Sequence, residues 1–316
     1  MDVIVGKGNR SYWMGIAILL VVLFHIYLFN DWNGYDKDVI DFFFHYGYVG
    51  VDIFLFLSAY GLCCSFENNS LLKFYKNRAH RLFPMYFIYL FILLSFFIKD
   101  NPLKIAVAQT TGMATFMGMW VEWYVPALIV LYFSFPLLYM MLKRISKTSI
   151  NKQLTCLIVL LVIISYPFLS YYIHADFVRR FPIILGGIYL YLYSSNKRLL
   201  LLLYTYMAAI MLIKPNWGDF LYLPLLFMAV DKLKMKFPFK RSISFLGKHS
   251  LELYLGQSIG LQYFYSSVND NVRLNCILGV GISLLLAILF WGGHELFWRI
   301  IEYFKAKTIN SKLNVL

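Results

Sequence analysis

His25 and Asp52 stand out because ionisable side chains rarely lie within long apolar runs. His25 sits in GIAILLVVLFHIYLF and Asp52 in YVGVDIFLFLSAYG. A charged group at mid-bilayer costs roughly 2.5–3.5 kcal/mol on insertion scales, so each demands a reason. Each lies about five residues from one end of its run, and the two ends face the same side. At about 1.5 Å per residue, both fall roughly 7–8 Å below one surface on adjacent antiparallel helices. A carboxylate there would orient one imidazole nitrogen and raise its basicity, leaving the other to take a proton from a hydroxyl. Two polar groups satisfying each other, or a proton relay, would use the same pair.

After the second run the chain reads KFYKNRAHRLFPMY, read as a loop with Pro84 in the first turn of the next span. Arg78 and Arg81 are three apart and share a face if the stretch is helical. Two guanidiniums make a clamp for phosphates, and they also fit plain retention of positive charge on the inner side. Trp123 and Tyr124 stand at an expected outer boundary, where aromatic belts form, and Glu122 beside them faces an outer cavity or solvent. In GKHSLELYLGQS, Ser250 is the expected N-cap, Glu252 suits the first turn, and Gln257 lies deeper and needs a partner. His294 and Glu295 close the last apolar run. The four cysteines show no metal or disulfide spacing, so no metal is expected. No phosphate-cradling glycine loop, nucleophile elbow or HExxH segment is present.

The elements that position these residues must be membrane helices. Of 316 residues, 60% are hydrophobic and 14% charged, against about a quarter charged in soluble domains. Apolar runs at about 12–29, 47–65, 83–98, 123–142, 154–173, 181–195, 199–213, 219–230, 249–266 and 275–294 give ten spans. The stretch 105–119 is less apolar and reads as a short interfacial or re-entrant segment. With the N-terminus inside, inner segments hold 22 of the 29 Lys and Arg. The outer seven are Lys37, Lys99, Lys104, Arg179, Arg180, Lys214 and Arg273. The expected fold is an all-α polytopic bundle of about ten transmembrane helices, both termini cytosolic, in one domain over 1–316. The net charge of +13 is distributed as that topology demands, so nucleic acid is not an expected partner.

Five stretches, in order, resemble the acyltransferase-3 family of integral membrane acyltransferases. They are GIAILLVVLFH, GYVGVDIFLFLSAYGL, FYKNRAHRLFPMYFIYL, WYVPALIVLYFSFPLLY and LGKHSLELYL. The resemblance implies a multi-pass protein of the bacterial inner membrane with no bound cofactor. It implies transfer of an acyl group, most often acetyl, from cytosolic acyl-CoA to a glycan or lipid-linked sugar. His25 matches the family's essential histidine, and Arg78 and Arg81 match the RxxR motif proposed to hold acyl-CoA. Asp52 and Ser58 match the GVD…LSG motif, with Ala59 in place of glycine. Many relatives carry a basic residue eleven before the histidine; here Met14 stands there, and Arg10, one turn earlier, is the candidate substitute. Leu128 and Ile129 replace the paired glutamates of one branch, and Gln257 replaces a frequent histidine. Gln257, Ser58, Trp123 and Tyr124 are the expected acceptor or pocket residues. Direct attack on the thioester and a transient acyl carrier both fit. The rival reading is a transporter or flippase for a lipid-linked glycan or small solute, which predicts inverted repeats and midplane carboxylates.

Overall fold

The structure is a computed structural model that describes residues 9–29, 44–117, 122–149, 152, 175–193, 239–261 and 272–313. The chain there forms helices α1 (Asn9–Phe29), α2 (Val49–Glu67), α3 (Leu71–Phe96), α4 (Pro102–Thr111) and α5 (Tyr124–Ile145). These are followed by α6 (Ala175–Tyr193), α7 (Lys240–Lys248), α8 (Ser250–Ile259) and α9 (Val272–Leu313). No strand occurs among the described residues. Among the described residues, five helical segments are long and apolar enough to cross a membrane: Asn9–Leu28, Tyr46–Glu67, Leu71–Phe96, Tyr124–Ile145 and Ile277–Phe304. The expected spans at 154–173, 199–213 and 219–230 lie outside the described residues.

Apolar side chains on these helices are exposed as lipid contact requires. Leu72, Phe91, Phe133, Leu137, Ile277 and Leu285 are all large and open. Large apolar side chains left open in this number suit lipid rather than water. Within lipid, every backbone group must bond inside its own segment, which leaves helices as the solution for these runs.

Three boundaries differ from the sequence reading. The basic stretch before Pro84 is helical, so α3 runs unbroken from Leu71 and Pro84 lies inside it. Proline there removes the bond to the His80 carbonyl, which the rest of the helix sustains. Ser250 is the first helical residue of α8, and His249 holds the N-cap position without a side-chain bond. α9 continues beyond residue 294 to Leu313, because no proline interrupts it. Of the 105–119 stretch, residues 105–111 belong to α4, which is closed by Gly112 at φ +81° and followed by a 3₁₀ turn over Met113–Thr115.

The described residues pack as two compact units, each assembled from separate stretches. The first takes Met1–Ala17, Tyr48–Tyr75 and Asn101–Gly247; the second takes Ile18–Gly47, Lys76–Asp100 and Lys248–Leu316. In the first unit α2 and α6 make the most extensive helix contact. Gly187 allows it: a Cβ at that position would come 2.7 Å from the Phe56 carbonyl and 2.9 Å from the Ala59 methyl. Small residues at the crossing let membrane helices approach closely enough for dispersion to act. The two helices run the same way, since Asp52 meets Arg180 and Glu67 meets Tyr191. α5 runs with them: Tyr124 packs near Phe54, and Tyr139 reaches Glu67. In the second unit α8 is packed against α9, with Gly256 and Gly260 set against the backbone at Ser283 and Ala287.

Candidate functional site

At the N-terminal ends of α2, α5 and α6, Asp52 and Arg180 form an ion pair shielded from solvent. Arg180 Nε donates to Asp52 Oδ1 at 2.9 Å, and their side chains are 1% and 4% exposed. The guanidinium also lies against the Trp123 ring, 5.4 Å from its centroid. Glu122, next to Trp123, is buried rather than solvated. Its Oε1 accepts the N–H groups of Tyr124 at 2.7 Å and Val125 at 3.2 Å. Those are open donors of the first turn of α5, so Glu122 closes that helix end. Tyr124 itself is buried, its ring 6.4 Å from that of Phe54. Ser58 is half-buried further along α2.

A second cluster in the same unit closes the opposite ends of these helices. The Glu67 carboxylate accepts the hydroxyls of Tyr139 and Tyr191 and the ammonium of Lys143. One side chain from α2 is thereby tied to α5 twice and to α6 once. Arg10 belongs to this unit, and a Cβ added at Gly61 of α2 would come 3.2 Å from its guanidinium.

The second unit holds His25, Arg78, Arg81 and Gln257. His25 Nδ1 is 2.9 Å from the carbonyl oxygen of Val21, one turn earlier on α1. Arg78 and Arg81 share a face of α3, as their spacing requires once the stretch is helical; Arg78 is half-buried and Arg81 exposed. His80, between them, stacks on Trp298 of α9 with ring centroids 3.8 Å apart. Eight residues past Arg81, the Tyr89 hydroxyl meets the Ser258 hydroxyl at 3.1 Å. Gln257, next to Ser258, is 1% exposed. At the start of α8, His249 Nδ1 stands 3.8 Å from Glu252 Oε1.

The structure thus brings Asp52 together with Trp123 in the first unit, and places His25 with the RxxR pair and Gln257 in the second. Two residues were invisible to sequence reasoning. Arg180 was counted as an outer-loop charge at the edge of an apolar run, and only the fold turns it onto Asp52. Glu67 ends a run without any motif around it, and its three donors come from residues 72, 76 and 124 positions away.

Residues 12–292 match the family model of the acyltransferase-3 domain, described as an acyltransferase domain. No curated protein and no solved structure matches the chain.

Proposed function

The chain belongs to the acyltransferase-3 family, and from that premise we propose that it moves an acyl group, acetyl in the first instance, from cytosolic acyl-CoA to a hydroxyl of an envelope or exported glycan. The bond from His25 to its own helix carries the reading. A carbonyl only accepts, so Nδ1 carries the proton and Nε2 is the basic nitrogen. The Val21 carbonyl thus supports the tautomer in which Nε2 is free of the ring proton. His25 Nε2 takes the acceptor hydroxyl's proton as that oxygen attacks the thioester carbonyl. The C–O bond forms, the C–S bond breaks, and the imidazolium returns its proton to the leaving CoA thiolate. Arg78 and Arg81 hold the CoA phosphates, for which paired guanidiniums are suited.

The topology in this proposal has ten spans, both termini cytosolic, in the bacterial inner membrane, as one domain. Its support is directional. α2, α5 and α6 are the second, fourth and sixth spans of that count, and they run the same way. Lys143 and Arg144 in the last turn of α5 suit the cytosolic side.

The test compares NMR spectra of envelope glycan from cells with the intact chain, a deletion, and His25→Ala. An O-acetyl signal removed by mild base, and lost in both altered strains while the His25→Ala protein persists in membranes, is the expected result. Unchanged acylation with collapsed glycan export would replace this reading with transport.

A further inference from the structure

α8 is buried on nearly every side, and its polar residues have separate fates. Ser258 bonds Tyr89 of α3, and Glu252 faces His249. Gln257 is different: it is 1% exposed, and neither its amide nitrogen nor its amide oxygen has a hydrogen-bond partner among the described residues. An apolar residue of the same size would avoid that loss, since a buried amide without partners forfeits its hydration. On an ideal helix Gln257 is turned by about 100° from both the Gly256 face on α9 and the Ser258 face on α3.

We infer that Gln257 is the binding residue for the pantetheine arm of the acyl donor, a deepening that rests on the acyl-CoA reading above. A primary side-chain amide offers donors and an acceptor together, the complement of a secondary amide. Pantetheine carries two secondary amides between the nucleotide phosphates and the thioester. The placement along α3 agrees. Tyr89, which ties α8 to α3, lies eight residues past Arg81 and eleven past Arg78. That is about 12 and 16 Å of helix, the order of distance over which an extended arm carries its amides away from its phosphates. Arg78, Arg81, Gln257 and His25 all belong to the second unit. Gln257 thereby sets the depth to which the thioester is threaded.

Binding to the full-length protein in lipid nanodiscs tests this with three probes: acetyl-CoA and two analogues, each with one pantetheine amide replaced by an ester. The ester keeps the carbonyl and removes the N–H. Wild type is expected to bind acetyl-CoA, and at least one analogue about tenfold more weakly, the loss of one good hydrogen bond. Gln257→Leu is expected to weaken acetyl-CoA binding about tenfold and to bind that analogue no worse than acetyl-CoA, the signature of a coupled pair. Its ligand-free melting temperature should equal or exceed the wild type's, because an unpartnered amide has been removed. Equal acetyl-CoA affinity in both proteins, or the same analogue penalty in both, overturns the assignment while leaving acyl-CoA as donor. Absence of any acetyl-CoA binding to wild type overturns both. Should Gln257→Leu fail to fold, wild-type affinity unchanged by either ester is sufficient to reject the assignment.

Discussion

Removing either partner of the Asp52–Arg180 pair should cost far more than removing both. The carboxylate is 1% exposed and the guanidinium 4%, so removing either one takes a direct counter-ion from a buried charge. Such single losses run to about 3–5 kcal/mol, whereas replacing a whole buried pair by apolar groups is neutral or gains about 1–4 kcal/mol. Asp52→Val and Arg180→Met are therefore each expected to destabilise by about 3–5 kcal/mol, and the double variant by about zero. The singles would then sum to about 6–10 kcal/mol, a coupling of at least about 6 kcal/mol. Unfolding of the four proteins in mixed detergent micelles, followed by far-ultraviolet circular dichroism, gives the cycle. Single losses under about 1 kcal/mol, or an additive double variant, would refute the reasoning and mean that water reaches the pair. Trp123 fluorescence adds a local readout, since its ring rests on the guanidinium. Its emission should shift in Arg180→Met, and a spectrum unchanged from wild type would count against the packing described.

The Glu67 knot makes a graded prediction. Glu67→Ala should destabilise by about 2 kcal/mol through loss of charge-assisted bonds, while Lys143→Ala, at a side chain 46% exposed, should cost under about 1 kcal/mol by the same assay. At the α2–α6 crossing, Gly187→Val should cost about 1–3 kcal/mol or abolish membrane accumulation, because its Cβ meets the Phe56 carbonyl. Gly281→Ala, with open space at its Cβ on α9, should instead be neutral or gain up to about 1 kcal/mol of helix stability. Glu122→Ala should cost about 1 kcal/mol by opening the first turn of α5, with Glu122→Gln in between because it keeps an acceptor oxygen.

Helices with a clear apolar run were legible to within a few residues. α1, α2 and α5 begin and end where hydropathy changes, because the bilayer imposes both length and composition on them. The family, too, was legible, from five short stretches that lie in order. Where a helix leaves the lipid, composition lost its hold. The basic stretch of α3 reads as loop by charge, yet continues the helix, since Lys and Arg are good helix formers and Pro84 is tolerated within a packed span. α9 ran past its apolar segment for the same reason. The Asp52–Arg180 pair could not be read at all. It joins residues 128 positions apart, and a lone arginine beside an apolar run looks the same whether it faces water or a carboxylate.

The common direction of α2, α5 and α6 has an electrostatic consequence. In an antiparallel bundle neighbouring helix macrodipoles cancel; three that run together add, with about half a positive charge at each N-terminus and half a negative at each C-terminus. Asp52 sits in the first turn of α2, at the joint positive pole, where the backbone favours a carboxylate and Arg180 pairs with it. Glu67 sits at the joint negative pole, where the backbone opposes a carboxylate. It gathers two hydroxyls and an ammonium around itself, the donors that an anion at that end requires. The trio therefore carries a built-in polarity, its positive pole already answered by the carboxylates of Asp52 and Glu122 and its negative pole by the donors gathered on Glu67.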